Sequence, residues 1–355
     1  MIDNIRLQNF RSYGDDTFEF GAGVNIIVGP NASGKTNLLE SILIIALGSS
    51  YRANSKGLIQ FDKDWARLEA SADSGQRIVK LENVGDAVKR SYQLEGQNYS
   101  RLSINKTLPL VLFEPEHLRL LSGSPERRRQ YLDDLLEQTT PSFGRLRKNY
   151  KRALIQRNNL LKKGSAVGQS QIFAWNIRLS ELGGQIAVLR NNLCQQIAEQ
   201  INPIYDQLSG AKLDIGLVYD ATCTIDNYSS AMLVKLEKHH DLDFLRGFTA
   251  YGPHRDDMLV LINGRSDQAV ASRGEMRTLL LCLKIVELRI LEALRGQKPL
   301  LLLDDVFSEL DGKRRQALTK FLEDHQTFIT TTDADVVVQH FMDNCTIIPT
   351  SKEQS

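Results

Sequence analysis

Eight consecutive residues near the start of the chain, Gly29, Pro30, Asn31, Ala32, Ser33, Gly34, Lys35 and Thr36, carry the G-x-x-x-x-G-K-T spacing of a phosphate-binding loop. Glycines let backbone N–H groups close around phosphate oxygens, the lysine neutralises the β and γ oxygens, and the threonine hydroxyl supplies a ligand for Mg2+. Far along the chain a run of leucines ends in two acids, Asp304 and Asp305. Asp304 reads as the carboxylate on the Mg2+ side. Asp305, one residue on and pointing elsewhere, reads as the general base that polarises the attacking water. The alternative is that these acids only cap the segment Ser308-Glu-Leu-Asp311. Together the two motifs predict binding and hydrolysis of a nucleoside triphosphate.

Such residues work only if the chain holds them on particular elements. The apolar run Val24-Asn-Ile-Ile-Val28 predicts a strand feeding the loop, and Leu38 to Leu47 predicts a helix whose N-terminus opens onto the phosphates. Continuous apolar residues from Pro299 to Leu303 predict a strand buried on both faces, delivering Asp304 to the C-terminal edge of a parallel sheet. Lys35 and Asp304 are separated by most of the chain, so a large insertion lies between the halves of the site. Ser272, Arg273, Gly274 and Glu275 then form a polar turn running into the helical stretch Thr278 to Arg289. Serine and glycine at a helix N-terminus make a second phosphate-binding cradle, and an ordinary serine N-cap would look the same.

The order of phosphate loop, Ser-x-Gly-Glu turn, Leu-Leu-Leu-Asp-Asp and Ser-Glu-Leu-Asp resembles the ATP-binding-cassette heads of chromosome-maintenance and recombination ATPases. Within them the chain is most similar to the RecF family of bacterial recombination mediators. The likeness runs from Asn9-Phe-Arg-Ser-Tyr13 to Thr330-Thr-Thr-Asp333. Its most specific segments are Val111-Leu-Phe-Glu-Pro-Glu-His-Leu118, Gly123-Ser-Pro-Glu-Arg-Arg-Arg129 leading into Tyr131-Leu-Asp133, and Tyr251-Gly-Pro-His-Arg-Asp-Asp257. The resemblance implies ATP as the nucleotide, with Arg11 and Asn37 beside it. It also implies a head-to-tail homodimer in which Ser272 and Gly274 reach the γ-phosphate held by the opposite subunit, with Asp311 at the seam. Thr332 and Asp333 are the switch candidates, and Gln60 is the candidate for the glutamine loop. Two departures from typical cassette ATPases stand out: Asp305 replaces the usual glutamate, and no histidine occupies the switch position. The resemblance further implies duplex or gapped DNA as a ligand, and cooperation with RecR and RecO in loading RecA on single strands.

The expected fold is α/β: an ATP-binding-cassette-type P-loop head of mixed sheets with flanking helices, residues 1–115 and 210–355, and an inserted α-helical lobe, residues 116–209. At 355 residues and 42% hydrophobic content the chain can bury a core of that size. No apolar run is long enough to span a bilayer and no cleavable leader is evident, so the cytoplasm is the expected location. The four cysteines are scattered without zinc spacing, which predicts reduced, inert thiols and sets the chain apart from zinc-hook repair ATPases. A transporter ATPase subunit is the competitor from another class, but it would carry a different signature turn and no basic helical arm. Another maintenance or repair head of the same fold, or an interaction module with a structural nucleotide, are the other readings.

Net charge is only +1, yet Gln138 to Ser180 contains no acid while Arg145, Arg147, Lys148, Lys151, Arg152, Arg157, Lys162, Lys163 and Arg178 all fall inside it. Apolar residues at helical spacing predict a helix from Phe143 to Lys163, a Gly164–Gly168 loop, and a second helix broken or bent at Gly183-Gly184, together a short antiparallel arm. Its basic face is either a solvated surface or a DNA-binding one. Arg127 to Arg129 either join that surface or pair with Asp133 and Asp134. Met258 to Ile262 with Asn263-Gly264 predicts a hairpin, and alternation at Leu213, Ile215 and Leu217 another strand. His254 and Arg255 read as turn residues, or through the resemblance as part of the dimer or nucleotide surface.

Overall fold

The computed structural model describes residues 1–50, 55–163, 169–210, 212–265, 272–322, 324–333, 337–339, 341 and 345–350. The expected Gly164–Gly168 loop lies outside them. The chain forms two compact units, one of Met1–His117 with Glu287–Ser355 and one of Leu118–Val286. Residues 212–265 and 272–286, expected in the head, belong to the second unit.

The first unit holds two sheets. Strands β1 (Ile2–Phe10), β2 (Tyr13–Glu19), β4 (Trp65–Ala72), β5 (Gly75–Val84), β6 (Ala87–Leu94) and β7 (Gln97–Tyr99) form an antiparallel sheet in the order β2-β1-β4-β5-β6-β7. Strands β3 (Val24–Val28), β8 (Leu110–Phe113), β11 (Leu300–Asp304), β12 (Thr327–Thr331) and β13 (Cys345–Pro349) form a parallel sheet in the order β13-β3-β12-β11-β8. Strand β4 alternates buried and more exposed residues, whereas β11 and β12 are buried throughout, as a parallel sheet covered on both faces requires. Helix α1 (Lys35–Leu47) lies between the sheets. Ten of its thirteen residues are buried and it has no polar face, so it is a core helix. Leu38, Ile42 and Ile45 join Ile5, Leu7 and Leu68 of one sheet and Ile27, Leu302 and Phe328 of the other in a single apolar core.

The second unit is built on α5 (Gln169–Ser209), against which pack α3 (Pro125–Thr139), α4 (Phe143–Lys162), α6 (Tyr228–Lys238) and strand β9 (Ile215–Asp220). Helices α2 (Leu118–Ser122) and α7 (His240–Arg246) are short, and β10 (Asp257–Ile262) pairs antiparallel with β9 from Ile262↔Ile215 to Asp257↔Asp220. The expected turn at Asn263-Gly264 is present, both residues at positive φ, but the described partner of β10 is β9, reached across two helices. Helix α8 (Arg273–Arg295) crosses the division between the units at residue 286; α9 (Val306–Glu309) and α10 (Gly312–Leu322) belong to the first.

Two expectations are corrected in the helical unit. Helix α5 runs through Gly183-Gly184 and through Pro203 without a break. The glycines serve close packing instead: a Cβ on Gly184 would come within 2.0 Å of Ser229 Oγ, and one on Gly183 within 2.9 Å of Met232 Sδ and 3.2 Å of Pro253 Cδ. The basic stretch is also less uniform than its composition. Arg157 is fully buried, donating to Asp243 at 2.8 Å, Asn176 at 2.6 Å and Thr249 at 2.8 Å, and Arg147 pairs with Glu137 at 2.8 Å and Asp133 at 3.5 Å. Arg128 and Arg129 turn towards Asp257 and the Asp256 carbonyl, while Asp133 takes Arg190.

Helix propensity alone favours alanine over glycine by about 1 kcal/mol. Gly184→Ala is nevertheless expected to destabilise the chain by about 1–3 kcal/mol, because Ser229 backbone and side chain occupy the space. Urea denaturation measures the sign; stabilisation would show that the glycine is a tolerated weakness of the helix.

Candidate functional site

The phosphate loop connects β3 to α1 and is shaped by its own unit. Ala32 and Gly34 have φ of 64° and 103°, left-handed conformations that only glycine adopts without strain. A Cβ on Gly34 would meet the Tyr13 hydroxyl at 2.8 Å, and one on Gly29 would meet Thr350 carbonyl and hydroxyl at 2.4 Å. Both glycines are thus required by packing as well as by any phosphate. Tyr13 Oη donates to the Gly34 carbonyl at 3.1 Å, and Ser33 Oγ bonds Thr350 Oγ1 at 2.8 Å, so the loop is clasped from β2 and from the end of β13. Burial holds the Tyr13 phenol well above its usual range, which keeps it a donor. Lys35 is 5% exposed and folds back on the loop, donating to the carbonyls of Gly29 at 2.7 Å and Pro30 at 2.9 Å. Asn37 donates to Ser12 Oγ at 2.9 Å.

The parallel topology brings the two distant motifs together. Strand β12 separates β3 from β11, and Thr36 at the start of α1 donates to Asp304 Oδ1 at 3.1 Å. Asp304, 3% exposed, also accepts from Thr330 Oγ1 at 2.8 Å, and Thr330 Oγ1 in turn accepts the Asp305 N–H at 2.9 Å. Asp305 has φ 54° and ψ 5°, a strained backbone for a residue with a side chain, and its carboxylate makes no capping bond to α9. The hydroxyl and carboxylate oxygens of Thr36 and Asp304 suit a small hard cation, and the loop's N–H groups and Lys35 suit a triphosphate.

Arg11, at φ 54°, is gripped by Glu40 through Nε at 2.9 Å and a terminal nitrogen at 2.8 Å. Glu40 is a carboxylate 1% exposed inside the core helix, and it also accepts from Ser50. Gln60 lines a surface groove with Arg11, Ser12, Asn37, Phe61 and Lys63, and its backbone bonds Asn9. Asp311 caps α10 by accepting the Arg314 N–H at 3.0 Å, a bond that holds its carboxyl below the usual range. Thr332 and Asp333 are exposed, in a turn closed by Thr331 Oγ1 and the Asp333 N–H at 3.1 Å.

In the other unit Ser272 and Glu275 form a reciprocal capping box on α8: Ser272 N donates to Glu275 at 2.7 Å and Glu275 N to Ser272 Oγ at 3.2 Å. The backbone bond from Ser272 lowers the Glu275 carboxyl from its usual range. Gly274 and Arg273 lie in the first turn of the helix. On α4, Arg145, Lys148, Lys151 and Arg152 are exposed along one side, so four of the five candidates form a basic face and Arg147 is drawn into ion pairs. His254 is tied to Tyr150 at 2.7 Å and to the Thr249 carbonyl at 3.0 Å, and burial pushes its pKa down to about 4. It is a structural residue of the helical unit; Arg255 is exposed over the Phe248 ring.

Sequence reading missed Tyr13, Glu40, Thr330 and Thr350. The signal for Glu40 was its place in an otherwise apolar helix, and for Thr330 a polar run ending a buried strand. Tyr13 and Thr350 carried none, because their contacts are set by tertiary packing.

The sequence model of the family described as "RecF/RecN/SMC N terminal domain" matches residues 1–354. The chain is 36% identical over 344 residues to the DNA replication and repair protein RecF of Heliobacterium modesticaldum, covering 93% of this chain and 92% of that one. Its fold matches a solved structure of "the recombination mediator protein RecF-ATPrS in RecFOR pathway" with TM-score 0.86 at 32% identity, over 98% of this chain and 96% of that one. A second, of "RecF-ATP", matches with TM-score 0.83 at 32% identity over 94% and 92%.

Arg11→Met is expected to lower unfolding stability by about 3 kcal/mol, since it strands the buried Glu40 carboxylate. Adding Glu40→Met should recover most of that loss in a urea titration. Equal losses in the single and double variants would show that the pair is not coupled.

Proposed function

The chain belongs to the RecF/RecN/SMC N-terminal domain family, and from that premise we propose that it is an ATP-hydrolysing mediator of DNA replication and repair that closes as a dimer on DNA. Its fold is an ABC/SMC-like P-loop ATPase head. The observation that carries the proposal is the Thr36–Asp304 contact at 3.1 Å beside the phosphate loop, which unites the two halves of a nucleotide site 268 residues apart.

ATP enters with its phosphates at the N-terminus of α1. Lys35 exchanges the carbonyls of Gly29 and Pro30 for phosphate oxygens, a stronger charge-assisted contact. Thr36 and Asp304 would hold Mg2+, which when bound neutralises charge developing on the phosphates. Asp305 accepts the proton of the attacking water. Arg11, anchored by Glu40, keeps its charge near the loop. Ser272 and Gly274 of a second copy close over the γ-phosphate, with Asp311 at the seam. The Ser272 hydroxyl oxygen accepts the Glu275 N–H and has its proton left to donate. Thr332 and Asp333 are the residues that would follow the state of the nucleotide.

The basic face of α4 supplies the surface for duplex or gapped DNA, with phosphates as counter-charge. Inverting a dimer equilibrium from 1:99 to 99:1 takes about 5.5 kcal/mol, so each of two trapped nucleotides need supply about half. Hydrolysis removes that bridge and releases the dimer. Slow, DNA-stimulated turnover, partnership with RecR and RecO, and support of RecA loading follow from the family premise. Among the described residues no helix is long and apolar enough to cross a membrane.

Lys35→Ala is expected to abolish ATP-dependent dimerisation in sedimentation velocity, and an unchanged dimer would remove the site from its role. Asp305→Asn should trap an ATP-bound dimer that turns over slowly; normal turnover would place the base elsewhere. Lys148→Ala, Lys151→Ala and Arg152→Ala combined should weaken DNA binding and flatten its salt dependence by about 0.9 log units per lost phosphate contact. An unaltered slope would make this face a solvated surface.

A further inference from the structure

Gly29 opens the phosphate loop beneath two hydroxyls that come from opposite ends of the chain. A Cβ at Gly29 would lie within 2.4 Å of Thr350 Oγ1 and 2.6 Å of Ser33 Oγ, and those two oxygens are 2.8 Å apart. Ser33 belongs to the loop itself. Thr350 directly follows β13, whose last residue, Pro349, pairs with Val28 at the end of β3. Both residues are buried, Ser33 with 4% and Thr350 with 5% exposure. Buried hydroxyls are costly unless bonded, and each has a single proton to donate, so the direction of every bond between these oxygens is constrained.

The Thr350 hydroxyl donates to the Val28 carbonyl at 3.2 Å. With its proton committed there, the bond between the two hydroxyls is donated by Ser33, which then has no proton for a ligand. The Val28 carbonyl also accepts the Thr350 N–H at 2.8 Å, so it stays paired when the hydroxyl turns away. Thr350 is therefore free to donate to Ser33 Oγ instead, and the Ser33 proton is released. That reversal gives up one long bond and leaves no buried group unpaired. An ionised triphosphate presents acceptors only, so a loop hydroxyl that binds it must face it as a donor.

We propose that Thr350 is a positioning residue for the nucleotide, a role that rests on the phosphate site proposed above. In the empty protein the protons run from Ser33 to Thr350 and from Thr350 to the Val28 carbonyl. When ATP binds, the order reverses: Thr350 donates to Ser33, and Ser33 donates to a phosphate oxygen. Accepting from Thr350 fixes the serine rotamer and polarises its O–H towards the phosphate, since consecutive hydrogen bonds strengthen one another. Thr350 acts only through Ser33. The end of β13 thereby takes part in nucleotide binding from 317 residues away.

The test measures equilibrium binding of a fluorescent, non-hydrolysable ATP analogue, steady-state ATP hydrolysis and thermal unfolding for the full chain, Thr350→Val, Thr350→Ser, Ser33→Ala, and Ser33→Ala combined with Thr350→Val. Valine keeps the shape of threonine without its hydroxyl. Thr350→Val should raise the nucleotide Kd by about threefold to tenfold, the loss of one hydrogen bond, and should raise KM by more than it lowers kcat. Thr350→Ser, which keeps the hydroxyl, should restore most of the affinity. With Ser33→Ala already present, the valine substitution should change Kd by less than about twofold, because its route to the phosphate is gone. An unchanged or tighter Kd for Thr350→Val, or an equal loss with and without Ser33, overturns the assignment and leaves Thr350 a packing residue. If the valine variant fails to fold, Thr350→Ala in both backgrounds carries the same comparison. Undiminished nucleotide binding by Lys35→Ala would instead overturn the underlying site, so the two failures are distinct.

Discussion

The Thr36–Asp304 hydrogen bond is the contact on which the arrangement of the head depends. A carboxylate 3% exposed needs donors, and this one has two hydroxyls, from Thr36 on α1 and Thr330 on β12. Strand β12 lies between β3 and β11, and the hydroxyl of Thr330 on it donates to Asp304 and fixes the backbone of Asp305 by accepting its N–H. Position and orientation of both acids therefore follow from strand order and from one threonine. Any reordering of the parallel sheet would take the phosphate loop away from Asp304.

Polar groups buried close to the site follow the same rule. Arg11 is held by Glu40, which is sunk in the largely buried helix α1. The loop glycines answer to Tyr13 and Thr350 as much as to phosphate, so the cradle has its shape before any nucleotide arrives. Such preorganisation places the cost of ordering the loop in folding rather than in binding.

The helical unit separates two uses of arginine. Arg157, Arg190 and Arg128 reach inward to Asp243, Asp133 and Asp257, and they fasten α4 to α7, α5 to α3, and α3 to β10. Asp256, fully buried, accepts from Tyr219, Tyr228 and Thr222. With those charges matched inside, the exposed residues Arg145, Lys148, Lys151 and Arg152 are left to face outward together. Burial also pushes the thiols of Cys194 and Cys282 up to about 12, leaving them protonated and unreactive.

Local spacing determined the strand before the phosphate loop, the helix after it, the buried strand ending in Asp304 and the helix from Phe143, because each depends on residues adjacent in the chain. Spacing equally made Ser272 and Glu275 legible as a helix start, since a capping box is closed within four residues. Tertiary structure alone decided that Gly183 and Gly184 admit a neighbouring helix, that Arg157 is interior, and that β10 pairs with β9. It also decided that Thr330 stands beside Asp304 and that Glu40 pairs with Arg11. Those outcomes depend on which elements meet across long separations, and a residue's type does not record the identity of a partner brought to it only by the fold.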